Sequence, residues 1–384
     1  MKLSKYLLGD LIQQRREKNS FEGLPICGVT RDGFIPPKQQ DADTSLYNVF
    51  YKGDFVFNPA RMELNSIVFN DIYDKAICSS LYEVFYVKRT DIVVPEFLAL
   101  LVKQNWFTRY CEFLGSGSAR EYCRVANISE IEIELPPIEN QIEISHQHKI
   151  LVERIALKKH INDNLVAVGT ASIQKNVGRG ALINLTEAEM DSLTFPEDFK
   201  VKTVSEFCAE TKSGSTPSRT NNEYWENGTI SWVKSGEVHN NITLQTEEYI
   251  TPLGLNESST KLLPKDTVLM AMYGVTAGEV GYLAIEATTN QAICGMICRS
   301  KAEAAYLYFS LIQSQAAISR LSNGGAQDNL SKNFIDNIKI VVPPSKFIEK
   351  LNLAAIVEQM TLNTKEIILL EELQATVLAQ LSSR

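Results

Sequence analysis

Histidine is scarce in this chain, with four in 384 residues, and they are scattered. His146 and His148 lie two apart on an expected helix, so they face different directions and make no metal site. The seven cysteines (Cys27, Cys78, Cys111, Cys123, Cys208, Cys294, Cys298) are odd in number and form no C-x-x-C pair. That pattern predicts reduced thiols in a cytoplasmic protein. Cys294 and Cys298, in the apolar run AICGMIC, read as core. No run approaches the roughly 20 apolar residues of a membrane helix. The opening MKLSKYLLGDLIQQRREKNS turns polar after two leucines and reads as no secretory signal. Phosphate-loop, dinucleotide-fingerprint, H-E-x-x-H and G-x-S-x-G motifs are all missing, which removes the commonest routes to catalysis. Asn58-Pro59 lacks the second proline and aromatic of an amino-methyltransferase loop and reads as a strand terminator. Basic charge is also short: 38 Lys and Arg against 46 Asp and Glu, net −8. That balance argues against a protein that coats nucleic acid by bulk charge.

What the chain does contain is an internal repeat. Pro136-Pro137 closes ISEIEIELPP, and Pro343-Pro344 closes IDNIKIVVPP. Two glycine loops precede them, GSGSARE from Gly115 and NGGAQDN from Asn323. Further upstream, Gly53-Asp54 matches Lys265-Asp266, and Ala76-Ile77-Cys78 matches Ala292-Ile293-Cys294. The offsets are 207, 208, 212 and 216, in one order, which chance does not readily give. Each copy reads as short β-branched and aromatic strands. One helical stretch follows, PEFLALLVKQNWFTRYCEFL or AEAAYLYFSLIQSQAAISRL, and then a last strand and Pro-Pro.

After each Pro-Pro the texture changes. Residues 138–180 and 345–384 contain no proline and read as two long helices. The second has apolar residues at three-four spacing: Leu353, Ile356, Met360, Ile367, Leu370, Val377 and Leu381, interrupted by Asn363 and Gln374. The first gives a frame of Ile144, His148, Leu151, Ile155, Lys158, Asn162 and Leu165. Helices this long need a partner face, so the two are expected to pack on each other, with the polar positions fixing register at some cost in stability. The fold class expected is α+β. Two tandem mixed α/β domains, 1–137 and 196–344, alternate with a central helix and linker, 138–195, and a C-terminal helix, 345–384. The helices would form an antiparallel intrachain coiled coil with pseudo-twofold symmetry.

Candidate binding chemistry is local. TKSGSTPSRTNN (residues 211–222) holds Lys212 and Arg219, six hydroxyls including that of Thr216, and no acid, a set of donors suited to phosphate. Arg120 and Arg124 flank the first glycine loop; Gln327 and Asn329 lie in the second, with Lys332 after it. Amides can read adenine edges and arginines guanine. Polar turns on a globular surface would look the same residue by residue.

With these features in place, the sequence resembles the specificity subunit of type I restriction–modification systems over essentially its whole length. The resemblance rests on YLLGDLIQQRREK, GDFVFN and GSGSAREYCRVANISEIEIELPPIENQIEI in the first copy. In the second it rests on SGSTPSRTNNEYWENGTISWVKSGEV, PKDTVLMAMYG, NQAICGMI and NGGAQDNLSKNFIDNIKIVVPP. T-P-S-R-x-x-x-x-Y-W-x-x-G-x-I-x-W-V, from Thr216 to Val233, is its most specific motif, and Pro136, Pro137 and Gln141 also fit. One departure is that the second spacer begins PPSKFIEK, without the usual Glu-Gln.

The resemblance implies a chain that is not itself an enzyme. Two target-recognition domains would each read one half of a bipartite double-stranded DNA target, and the spacer helices would set the gap. Two adenine-methylating modification subunits would dock on the helices and bring S-adenosylmethionine, and two restriction subunits using ATP and Mg would join them. No cofactor or metal belongs to this chain, and no membrane is involved. Expected DNA contacts are Arg31, Lys38, Arg61, Arg120 and Arg124 in the first domain. In the second they are Lys212, Thr216, Arg219, Lys234, Gln327, Asn329 and Lys332. Three other readings stay open: a two-headed protein adaptor that never touches DNA, a subunit of a methylation-only defence system, and, weakest for want of a cofactor loop, a stand-alone methyltransferase.

No segment of the chain is basic; residues 196–344 hold 12 basic and 16 acidic side chains. The isolated chain is therefore expected to bind DNA weakly, with a shallow salt slope, while partner subunits neutralise most phosphates. A salt titration of DNA binding by the chain alone checks this, and tight, specific binding at physiological salt contradicts it.

Overall fold

The computed structural model describes residues 3–37, 43–115, 122–183, 185–186, 189, 192–239, 242–322 and 329–382. Two compact units emerge, residues 1–154 with 370–384, and residues 155–369.

In the first unit a four-stranded antiparallel sheet runs in the order Ile12–Arg15, Glu83–Val87, Asp54–Phe57, Ile67–Phe69. A second sheet pairs Ile26–Thr30 in parallel with Lys75–Cys78. The strand DFVF is buried along its whole length because both of its faces are covered. Phe55 and Phe57 join a core with Phe85, Phe97 and Leu101 on the helix side. Val56 points the other way, into a smaller core with Val29, Phe50 and Val84. Alternation of side chains along a strand makes one short segment serve two cores.

The second unit repeats this plan. Its sheet order is Glu210–Ser213, Ile293–Ile297, Thr267–Ala271, Val280–Leu283, Ile242–Thr243. Ile230–Val233 lies parallel to Thr288–Thr289. TVLMA again divides: Val268 and Met270 enter one core, Leu269 and Ala271 another. Strand pairing thus equates Asp54–Phe57 with Thr267–Ala271, as the sequence repeat suggests. It also corrects one expected match. Lys75–Cys78 corresponds to Thr288–Thr289, and Ile293–Ile297 corresponds to Glu83–Val87, so the Ala-Ile-Cys coincidence is compositional.

Each expected helical stretch between sheet and glycine loop is two helices rather than one. They span Pro95–Val102 and Asn105–Gly115 in the first unit, and Lys301–Gln313 and Gln315–Ser322 in the second. The first break is capped by Lys103 and Gln104, the second by Ser314, whose amide bonds back to Leu311. Spacing of apolar residues continues across both breaks, which is why sequence periodicity does not reveal them.

The central helix runs Ile138–Asn176 and ends where Gly178 takes a left-handed φ of 85°, a conformation glycine adopts at no steric cost. Gly169 is required for a different reason: a Cβ there would lie 2.3 Å from the Phe309 ring. Gln141, fully buried, latches the start of this helix in the first unit. Its side chain accepts from the Val94 amide at 3.0 Å and donates to the carbonyls of Ile92 and Pro136, both at 2.9 Å. The same position after the second Pro-Pro is Ile348, which is buried among apolar residues instead. Residues 345–384 are correspondingly not one helix. Ser345–Lys350 stops at Asn352, which has a left-handed φ of 52°, and Leu353–Ser382 restarts beyond it.

The long helices pair antiparallel within each unit. In the second, Lys158 meets Asn363 and Glu366, while Asn162 meets Met360 and Thr364. In the first, His148 meets Gln374. Leu151, Ile155, Leu353, Met360, Ile367 and Val377 are buried, while Leu165, Leu370 and Leu381 are partly so. One position of the expected frame shifts: Val357 takes the buried place and Ile356 flanks it. Asn363, 1% exposed, donates to Asn162 Oδ1 at 2.9 Å; Asn162, 7% exposed, donates to Thr364 Oγ1 at 3.2 Å. Lys158 completes the layer by donating to Asn363 Oδ1.

Removing one member of this layer strands the other. Asn363→Ala is expected to cost about 1–3 kcal/mol in a denaturant titration. Changing Asn162 and Asn363 together to Leu should recover most of that loss, because no buried amide is left unpaired. A double variant no better than the single one would refute a pairwise role.

His148 supplies a pH dependence. An amide nitrogen only donates, so Gln374 Nε2, 3.0 Å from His148 Nε2, is matched by a neutral ring. Burial likewise holds this imidazole below its ordinary value of 6.5. The unfolded chain takes up a proton that the folded one resists. Stability is therefore full above about pH 6.5 and falls as pH drops toward the folded value. His148→Leu should flatten that part of the pH–stability curve, and an unchanged curve would assign the acid sensitivity elsewhere.

Candidate nucleic-acid interface

The expected DNA contacts fall into two electrostatic groups. In the first unit, Arg31 stands exposed on the turn after Ile26–Thr30, and Arg61 is exposed on the 3-10 turn Pro59–Leu64. Asn58 starts that turn by accepting from the Ala60 amide, as a strand terminator should. Both arginines line a cavity of about 400 Å³ with Asn65, Lys103 and Thr108. Lys103 braces it by donating to the carbonyls of Arg31 and Ile67, each at 2.6 Å. Burial, and then the neighbouring Arg31 charge, push this ammonium down to about 8. Arg124 is exposed ahead of the turn Val125–Ile128, with its guanidinium 5.9 Å from the Tyr122 ring. Among the described residues, no carboxylate forms an ion pair with Arg31, Arg61 or Arg124.

In the second unit every described candidate cation has an acid partner. Lys212 pairs with Glu210 at 2.9 Å. Lys332 reaches Asp336 at 2.6 Å and Thr211 at 2.7 Å. Lys234 pairs with Glu247 and, at 3.3 Å, with Glu248. Arg219 pairs with Glu248 and lies 3.6 Å from the Trp225 ring centroid and 4.9 Å from that of Trp232. The hydrogen bond from Arg219 is the main reason the Glu248 carboxyl sits below the usual carboxylate range. Indole N–H groups fasten the same loop: Trp225 donates to Ser218 O at 3.0 Å and Trp232 to Ser215 O at 3.1 Å. The T-P-S-R…Y-W…W motif is thus a packed unit in which the arginine is turned onto the tryptophans.

Thr216 behaves differently. Its hydroxyl donates to Gln291 Oε1 at 2.5 Å, and Gln291 is exposed. Sequence reading missed Gln291, because a partner 75 residues away leaves no local signal. Asn329 is exposed and bridges to Tyr273. Lys38, Arg120 and Gln327 lie outside the described residues, as do residues 116–121 and 323–328 of the glycine loops. Among the described residues the seven cysteines are free, with six buried, and no group of three potential metal ligands gathers. No helix among them is long and apolar enough to cross a membrane.

Comparison with known proteins places this geometry. The family described as "Type I restriction modification DNA specificity domain" matches residues 34–167 and again 196–372, one match per repeat. The HindI type I restriction enzyme specificity subunit of Haemophilus influenzae is 22% identical, covering 89% of this chain and 90% of that protein. The EcoR124I/EcoR124II specificity subunit of Escherichia coli is 26% identical over 44% of this chain and 41% of its own length. The fold resembles the crystal structure of the type I restriction-modification S subunit from M. genitalium, with a TM-score of 0.62 and 16% identity. That likeness covers 99% of this chain and 96% of the other. Matched in both repeats, the chain belongs to the type I restriction–modification DNA specificity family and is a DNA sequence-specificity subunit.

Proposed function

We propose that the chain directs a type I restriction–modification complex to a bipartite DNA target. Each recognition domain, residues 1–137 and 196–344, reads one half. The helices of 138–195 and 345–384 set the gap and carry two adenine-methylating modification subunits. Restriction subunits join as two further partners. S-adenosylmethionine, ATP and Mg then enter with the partners, and this chain acts by binding and positioning alone, in the cytoplasm. One observation carries the reading: the specificity-domain match occurs twice, on two units whose main sheets share four strands in the same order. Two recognition units on one chain multiply modest affinities through effective concentration, provided both halves can be engaged at once.

The DNA contacts assigned are Arg31, Lys38, Arg61, Arg120 and Arg124, and Lys212, Thr216, Arg219, Lys234, Gln327, Asn329 and Lys332. Their partners in the fold refine their roles. Arg31 and Arg61 are free to meet phosphates. Lys212, Arg219, Lys234 and Lys332 would first have to exchange a carboxylate for one, so they contribute less to affinity and more to holding the loops.

Mapping methylated adenines in a host that carries this chain with its modification subunits tests the proposal; a bipartite motif is expected. Four residues inserted after Leu165 add about 6 Å of helix. The tolerated gap should then change by roughly one to two base pairs. An unaltered motif would show that the central helix does not set the spacing. Absence of any bipartite motif, with protein-only partners recovered, would favour the adaptor.

A further inference from the structure

Among its described residues, the second unit presents a neutral side chain in a geometry suited to reading a base. Gln291 lies in the three-residue turn between Thr288–Thr289 and Ile293–Ile297. That turn is fastened on every side. The Asn290 amide donates to Val233 O at 3.0 Å, and Asn290 Oδ1 accepts from the Ala292 amide at 3.1 Å. Ser215 N donates to Thr289 O at 2.9 Å, and Gly214 N to Ile293 O at 3.3 Å. A Cβ on Gly214 would fall 2.1 Å from Thr289 Oγ1 and 2.3 Å from Asn290 O, so the loop can approach the turn this closely only as glycine. On this fixed base, the Thr216 hydroxyl holds Gln291 Oε1.

We infer that Gln291, oriented by Thr216, reads an adenine in the half-site of the second recognition domain; this rests on the function proposed above. In the observed arrangement the Thr216 hydroxyl meets the oxygen end of the amide. Nε2 is then free to donate to adenine N7, and the second lone pair of Oε1 to accept from N6–H. Pre-organisation by a rigid neighbour removes the rotamer cost that an exposed glutamine would otherwise carry into the complex. On the loop that carries Thr216, other polar groups are already engaged. Arg219 is stacked on Trp225 and held by Glu248, while Ser215 accepts from Ser259 at 2.8 Å. The corresponding turn of the first unit, residues 79–82, carries no amide and exposes Leu81 at 76%, so the two domains differ at this position.

The test is to map methylation by the assembled complex carrying variants of these two residues. Gln291→Ala should relax one position of the second half-site, lowering discrimination for adenine about 5- to 150-fold there. The first half-site and the gap should stay as they are. Gln291→Glu, which only accepts, should move the preference at that position toward cytosine. Thr216→Val should relax the same position less, and Thr216→Ser, which keeps the hydroxyl, should restore it. An unchanged motif in Gln291→Ala, or a loss spread evenly over all sequences, overturns the assignment. If Gln291→Ala melts lower than the parent, the Gln291→Glu preference decides: no switch counts against it. A wild-type complex that methylates no bipartite motif instead overturns the specificity reading, and this assignment with it.

Discussion

Two buried amides, Asn162 and Asn363, set the register on which the helix pair depends. An apolar seam alone tolerates slippage, because one leucine or isoleucine layer replaces another at little cost. An amide layer does not. Sliding either helix by a turn would break the Asn162–Asn363 bond, and a buried amide left unpaired costs about 1–3 kcal/mol. Thr364 and Lys158 close further hydrogen bonds across the pair, and Gln359 adds one to Asn363 from its own helix. The Lys158–Glu366 pair at 2.8 Å reinforces it from the flank. A buried polar layer of this kind favours a unique register over maximal stability.

Around that pair, the duplicated units show how one plan accepts different chemistry. Gln141 and Ile348 occupy the same place after their Pro-Pro pairs. The first joins helix to domain through three hydrogen bonds, whereas the second does so by apolar burial. Directional bonds fix the entry of the central helix and let it continue unbroken from Ile138. The apolar anchor fixes position without direction, and there the helix turns at Asn352 before restarting. The spacer that lacks the Glu-Gln is also the one whose helix is broken, at Asn352.

Much of this was legible in the sequence, for stated reasons. Strand and helix periodicity, the Pro-Pro boundaries and the polar frame positions Asn162, Asn363, His148 and Gln374 all follow from local spacing. What was not legible depends on contacts across long separations. The splits at Lys103 and Ser314 are hidden because the apolar period runs through them. Ala76-Ile77-Cys78 misled because a three-residue match carries less information than strand pairing. The candidate site was read as a basic, hydroxyl-rich loop. That description is right for residues 211–222 taken alone and wrong in space, since Glu248 and Glu247 are brought to Arg219 and Lys234 by the neighbouring strand. Gln291 could not be found at all without its distant partner.

The net charge gains a physical meaning from these pairings. Had the acids been spread over a remote face, the lysines and arginines of the second unit could still have gathered phosphates. Instead Glu210, Glu247, Glu248 and Asp336 sit on the very cations that would do so. Neutralised cations hold loop geometry without adding indiscriminate attraction to DNA. On the function proposed above, cations neutralised in this way would add little non-specific affinity for DNA. Arg31 and Arg61, exposed in the first unit, have no such carboxylate among the described residues, so the two copies of the duplication differ in how their candidate cations are partnered.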